Sequence, residues 1–209
     1  MLRRSWDCSA VDGFRVGDGV ISNFYIGNLY GPVLDSGSHW LGGTSDGIPR
    51  QYAAVPTQAA TKIPPECRSN YVQLTSLLCS GVTAWNALYG LEWCIDLRLS
   101  TGDSITTSLS DLKLKFTKSM SDADYKLPQD SEIPDWAAET QHIMHNKGDF
   151  DIETSGSGTI AQSIQAAALG GQISLIAPVK QGKMSDVATL ALNKGCIIRG
   201  VHIDNRQLM

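Results

Sequence analysis

A chain of 209 residues, 42% hydrophobic and 18% charged, is long enough to bury a core in one or two domains and too apolar for a disordered one. Its 17 Lys and Arg against 21 Asp and Glu leave a net charge of -4, which argues against the basic stripe that a nucleic-acid partner needs. No run approaches the roughly 18 apolar residues of a membrane span. Ser5-Trp6-Asp7-Cys8-Ser9, after Arg3-Arg4, lacks the apolar core of a secretion signal. A cytoplasmic protein, with no nucleic acid and no membrane as partner, is expected.

The five cysteines, Cys8, Cys67, Cys79, Cys94 and Cys196, are odd in number and contain no C-x-x-C. They suit reduced thiols rather than a disulfide framework or a clustered zinc site. His142 and His145 form the one close histidine pair, without a carboxylate of the H-E-x-x-H kind. A solvated helix face is preferred for them over a metal site.

In chain order, Val11 to Ser22 reads as turn, short segment, turn and strand, with Gly17-Asp18 and Gly19 marking reversals. Residues 27 to 49 are glycine-rich and predict a long surface excursion. Gln51 to Val55 is strand-like and stops at Pro56. Lys62-Ile63-Pro64-Pro65 cannot be helical. Tyr71 to Leu88 predicts two helices about a kink at Gly81. Beyond residue 100 the pattern alternates: a strand at Ser104 to Thr107, a helix from an N-cap at Ser110 to Lys118, and a helix from Pro134 to about Asn146. A strand at Phe150 to Glu153 and a helix at Thr159 to Leu169, ended by Gly170-Gly171, come next. Strands at Gln172 to Ala177 and Cys196 to Ile203 complete an α/β pattern with a doubly wound parallel sheet.

Gly156-Ser157-Gly158-Thr159-Ile160-Ala161 matches G-x-G-x-x-[G/A] between a strand and a helix. There glycines admit a pyrophosphate to the backbone and a helix N-terminus favours its charge. The acid expected about 20 residues on is absent: Pro178, Val179 and Lys180 stand there. The motif alone leaves a phosphate cradle and a plain tight turn both open.

Several runs resemble the medium-chain dehydrogenase/reductase family, in its zinc-independent, quinone-oxidoreductase-like and alcohol-dehydrogenase-like branch. They are Phe14-Arg15-Val16-Gly17-Asp18-Gly19-Val20, Gly42-Gly43-Thr44-Ser45-Asp46-Gly47 and Gly81-Val82-Thr83-Ala84-Trp85-Asn86-Ala87-Leu88. Thr106 to Lys113, Gly156 to Ser163 and Gly170 to Ile176 follow in the same order. The resemblance implies a partial GroES-like β-rich segment over 1–88 and an incomplete Rossmann-like domain over 89–209. It places the Gly156 turn near the nicotinamide half, not at the pyrophosphate. The family's Gly-rich turn belongs after Tyr89-Gly90, yet Leu91 to Leu99 leads almost directly into Thr101-Gly102-Asp103-Ser104-Ile105. That turn and most of the first helix are expected to be missing, as is much of the family's chain before Val11 and after Met209.

Such a loss removes up to about 2 kcal/mol of helix-dipole stabilisation and roughly 1.5–3 kcal/mol per charged hydrogen bond. At about 1.4 kcal/mol per tenfold, the dinucleotide binds at least a hundredfold more weakly but is not excluded.

By the same resemblance Ser110 and Lys113 hold an adenosine 2′-phosphate, which implies NADP(H), bound weakly, and no zinc. Read without the family, Ser110 is an N-cap and Lys113 part of a solvated helix face. Gly156, Gly158 and Ile176 belong to the cofactor side. Thr83 lies beside the cofactor, or is a polar residue in a helix kink. Asn23 and Phe24 line the substrate, with Tyr25 as proton donor. The implied function is an NADP(H)-dependent reductase or alcohol dehydrogenase of a small carbonyl or enone. A non-redox isomerase or cyclase and a silent association partner stay open. The edge strand at 196–203, apolar and β-branched, is expected to pair two copies into a homodimer.

Overall fold

A computed structural model describes residues 13–29, 39–90, 103–121, 124–128, 133–145, 148–176 and 186–203. The chain divides into two compact units, one of residues 1–90 with 202–209 and one of residues 91–201.

In the first unit, β1 (Val20–Ser22) pairs antiparallel with β2 (Ala60–Lys62), Ile21 opposite Thr61. The Lys62 ammonium, 2.9 Å from the Asp18 carboxylate, closes the end of this ladder. Gln51 to Val55, expected as a strand, is not one. Pro56 ends it, a 3-10 turn at Thr57–Ala59 follows, and the ladder forms three residues later at β2. Helix α1 (Tyr71–Ser76) starts on a reciprocal cap, in which the Gln73 amide donates to Asn70 Oδ1 and the Asn70 amide to Gln73 Oε1, both at 2.9 Å. The kink expected at Gly81 is a π-helical turn over Leu77–Gly81, after which α2 (Val82–Tyr89) continues. Such a bulge re-aims the following helix without breaking it.

The second unit is parallel α/β. Strand β3 (Ile105–Ser108) pairs with β4 (Tyr125–Pro128), and α3 (Asp111–Ser121) lies between them in sequence. Strand β4 carries no strong apolar run and escapes the sequence pattern. A second sheet has the order β5-β6-β7, from Phe150–Glu153, Gln172–Leu175 and Ile197–Gly200. Helices α4 (Trp136–Ile143), α5 (Ile160–Ala166) and α6 (Val187–Lys194) accompany it. Asp135 caps α4 through the Ala138 amide, and Asp186 caps α6 through the Thr189 amide. Gly195 ends α6 at φ 57°, a left-handed conformation that glycine adopts without strain. Helix α4 stops short of the expected Asn146: His145 sits past its end at φ 50°, so His142 and His145 do not share a helix face.

The central strand β6 explains the core. Gln172, Ile173 and Ser174 are all buried, as expected of a parallel strand covered on both faces. Ile160, Ile164 and Ala167 of the α5 region close over Ile173, and Val187, Leu190 and Ile198 pack around them. Trp136, Ala137 and Ala166 form a second cluster between α4 and α5. Among the described residues no helix is long and apolar enough to cross a membrane.

Ile164 is 0% exposed at the centre of this cluster. Ile164→Ala should cost about 2–5 kcal/mol, read as a lower urea midpoint. An unchanged midpoint would mean that α5 does not seal the sheet.

Candidate functional site

Three groups of polar residues stand apart from the apolar cores. The first lies within the first unit and gathers Asn23, Phe24 and Tyr25. Tyr25 is 2% exposed and meets the rings of Phe24 and Trp40 edge-on, with centroids 5.2 and 6.1 Å apart. Its hydroxyl lies 2.8 Å from His202 Nδ1, across 177 residues of chain. Burial pushes the Tyr25 phenol above its usual pKa, and the Cys79 thiol adds to the rise. Asn23 is 3% exposed; its amide N–H donates to the Ala59 carbonyl at 2.6 Å, and its Oδ1 accepts from Thr61 Oγ1 at 3.3 Å. Asn23 Nδ2 has no partner among the described residues, which costs about 1–3 kcal/mol for a buried donor.

Helix α2 supplies the rest of this group. Asn86 Nδ2 donates to the His202 carbonyl at 3.1 Å. Thr83 stands one turn earlier, also buried, and its Oγ1 donates to the Cys79 carbonyl in the π-turn at 2.7 Å. The hydroxyl proton of Thr83 is therefore spent on its own helix; its oxygen keeps the capacity to accept. His202 and Asn86 have no sequence signature. One is a lone polar residue after an apolar strand, the other an amide inside a helix.

The second group is the start of α3. Ser110 Oγ accepts from the Lys113 amide at 3.4 Å, and the Ser110 amide donates to Ser108 Oγ at 3.1 Å. Ser110 is thus an N-cap, as its own sequence suggests. Ser110 and the exposed Lys113 both lie at the start of α3, just after the carboxyl end of β3. A hydroxyl, an ammonium and a helix N-terminus match the oxygens of a phosphate monoester. Asp111, in the same first turn, is the one charge against it.

The third group is the turn between β5 and α5, where Glu153 decides the geometry. Its Oε1 accepts from the amides of Ser155 (2.5 Å) and Gly156 (2.9 Å) and from Thr159 Oγ1 (2.8 Å). Its Oε2 accepts from Ser163 Oγ at 2.6 Å. Gly156 turns at φ 81°, which brings its N–H onto the carboxylate. The turn therefore points two backbone donors inward at a protein carboxylate. Of the two readings that the G-x-G pattern left open, the tight turn has the donors. Gly158 lies beyond the clamp with open space where a Cβ would stand. Ile176 directly follows β6, its amide donating to the Glu153 carbonyl at 2.9 Å. The segment after Gly90, where the resemblance places the family's phosphate turn, lies outside the described residues, as do Pro178, Val179 and Lys180.

Asp151, two residues before Glu153, is pushed up to about 6 by burial; the Ser163 hydroxyl pulls it down and the Glu153 charge raises it further. A folded pKa above the unfolded value of 3.8 means that folding favours the protonated acid. Its contribution is full below pH 4 and is lost as pH rises through about 6. Asp151→Asn should remove this slope and stabilise the protein at pH 7 by at most about 3 kcal/mol, less for a carboxyl only half-buried. Urea unfolding at pH 4.5 and 7 measures it, and a parallel wild-type and variant pH dependence would refute it.

Among the described residues no group of three or more His, Cys, Asp and Glu stands close enough to hold a metal ion. Comparison with known proteins places the geometry in context. No protein-family model matches the chain. A zinc-type alcohol dehydrogenase-like protein of Schizosaccharomyces pombe is 30% identical over 223 aligned residues, covering 92% of this chain and 62% of that one. A Sinorhizobium meliloti 1021 structure, assigned as an alcohol dehydrogenase, superposes with TM-score 0.79 and 25% identity over 95% of this chain and 64% of its own. The 2R,3R-butanediol dehydrogenase of Bacillus subtilis shares the fold, with TM-score 0.75 and 18% identity over 95% of this chain and 62% of its own. The chain thus spans less than two thirds of these relatives. Although the yeast relative is named for zinc, the described residues do not form a zinc ligand set. The chain has an alcohol dehydrogenase-like homologue and the GroES-like and Rossmann-like α/β fold of the medium-chain dehydrogenase/alcohol dehydrogenase family.

Proposed function

We propose that the chain is an NADP(H)-dependent oxidoreductase acting on a small carbonyl or enone. The observation that carries the cofactor choice is the Ser110 hydroxyl and Lys113 ammonium at the start of α3. The alcohol dehydrogenase-like homologue supports the reaction class. When bound, the nicotinamide supplies or accepts the hydride, and the protein supplies orientation. Ser110 and Lys113 hold the adenosine 2′-phosphate. Gly158, without a side chain, and Ile176, at the end of β6, serve the nicotinamide side. Gly156 serves it indirectly, by shaping the turn whose N–H is already taken by Glu153. Asn23 and Phe24 serve the substrate, and the spare Asn23 Nδ2 donor suits a carbonyl oxygen. Thr83 stands on the same helix face as Asn86. The reading carries no metal step.

Free thiols at Cys67, Cys79 and Cys196 suit a cytoplasmic protein. We also infer a homodimer. Among the described residues strand β7 is at the end of the order β5-β6-β7, and Ile197 on it is 54% exposed, so this edge suits pairing with a second copy. Light scattering at tens of micromolar protein, a concentration on the order of that at which exposed edges associate, should give twice the chain mass. A clean monomer would refute the pairing.

Lys113→Ala tests the cofactor. It should weaken NADPH binding by about tenfold to a hundredfold, from a charge-assisted contact of roughly 1.5–3 kcal/mol, and leave NADH nearly unchanged. Nicotinamide fluorescence titration reads both. Equal loss for the two cofactors would remove the 2′-phosphate assignment. No binding of either at millimolar levels would favour a non-redox isomerase or cyclase, or a silent partner.

A further inference from the structure

We propose that His202 exchanges the proton with the substrate oxygen and that Tyr25 is its positioning residue, in place of the direct donor role that the family resemblance implies for Tyr25. The inference rests on the oxidoreductase reading above.

Three observations carry it. The Tyr25 phenol is sealed: its ring is buried against Phe24 and Trp40, and among the described residues its hydroxyl meets only His202 Nδ1, at 2.8 Å. His202 is exposed, yet fixed at two points. Tyr25 holds Nδ1, and the buried Asn86 on α2 holds the backbone carbonyl at 3.1 Å. Nε2 is left without a partner among the described residues, on a side chain that is itself exposed.

A phenol both donates and accepts. It therefore keeps hold of Nδ1 in either protonation state, donating to a bare nitrogen or accepting from a protonated one. Proton exchange is confined to Nε2. Loss of a proton from Tyr25 itself would leave a phenolate among aromatic rings, and burial already disfavours that form. This is the logic of a nucleophile-activating pair in which the inner residue orients the outer imidazole.

The step balances. In reduction, the carbonyl carbon accepts a hydride from a reduced nicotinamide cofactor and the C=O π pair moves onto oxygen. That oxygen takes the Nε2 proton of doubly protonated His202. The carbonyl is reduced to an alcohol, the nicotinamide is oxidised, and His202 is left neutral with its Nδ1–H donating to the Tyr25 oxygen. Solvent returns the proton to Nε2 of the exposed His202. Alcohol oxidation runs the same path backwards.

Two measurements on the full chain test this. The first is nitrogen NMR of the His202 ring without cofactor. Tyr25→Phe should shift the Nδ1 resonance and change the tautomer ratio; an unchanged Nδ1 would overturn the pairing. The second is turnover with NADPH and cinnamaldehyde as probes. His202→Ala should lose about 10²–10⁴-fold in kcat, the span of general acid–base catalysis, with NADPH binding intact and part of the rate restored by added imidazole. Tyr25→Phe should lose less, about tenfold for a lost orienting contact, with no restoration by imidazole. If the wild type reduces cinnamaldehyde and His202→Ala is as fast, or if Tyr25→Phe alone abolishes turnover, the phenol is the donor and the proposal falls. A wild type that binds no NADPH sinks the oxidoreductase reading and the substrate role with it, a result separate from the NMR outcome on the pairing.

Discussion

One buried carboxylate organises the second unit. Glu153 ends β5 and immediately accepts from four donors spread over the next ten residues: the amides of Ser155 and Gly156 and the hydroxyls of Thr159 and Ser163. Three donors converge on Oε1 and one on Oε2. The cost of burying the charge is offset by these four hydrogen bonds. The consequence reaches beyond the turn. With Gly156 and Thr159 fixed, α5 starts at Ile160 and delivers Ile160 and Ile164 onto Ile173 of β6. The register of sheet and helix follows from where this one acid ends the strand.

The same carboxylate shapes the site chemistry. A G-x-G turn at a helix start offers backbone N–H groups to an anion. Glu153 is an anion already in place, covalently part of the chain and at far higher effective concentration than any ligand. It takes the donors that a pyrophosphate would need. Among the described residues of this unit, a hydroxyl and an ammonium at α3, the bare surface of Gly158 and the end of β6 are what the proposed dinucleotide would meet. Such a set recognises a phosphate by charge more than by a preformed nest.

Much of the second unit is written in its sequence. Phe150 to Glu153 and Gln172 onward are short alternating runs bounded by turn residues, and Ser110 caps α3 where its pattern predicts, whereas α5 stops at Ala166, before the expected break at Gly170-Gly171. Local chemistry decides those elements, so local pattern reveals them. Strand β4 escapes because Tyr125-Lys126-Leu127-Pro128 owes its conformation to the neighbouring β3, not to its own residues. Gln51 to Val55 fails for the opposite reason: it has the propensity but no partner ladder. At the sites, Ser110 and Lys113 are legible because a cap and its first turn are neighbours in sequence. The Tyr25–His202 pair is not, since 177 residues separate the two and only the path of the folded chain brings them together. Asn86 is hidden in the same way, an amide inside a helix whose partner is a distant carbonyl.

The two polar clusters differ in what they leave unspent, and that difference separates scaffold from chemistry. Glu153 is buried, and both of its oxygens already accept within the turn and α5. In the first unit Asn23 Nδ2 and His202 Nε2 have no partner among the described residues. Spare capacity alone is not enough. Thr140 Oγ1 on α4 is also buried without a partner among the described residues, yet a threonine hydroxyl does not change protonation state near neutral pH as an imidazole can. What distinguishes His202 is the combination of a ring pinned at Nδ1, a backbone pinned by Asn86, and an exchangeable Nε2 without a partner among the described residues. Proton transfer needs a group fixed within hydrogen-bond reach and still free at the reacting atom, and within the first unit this pair meets both conditions.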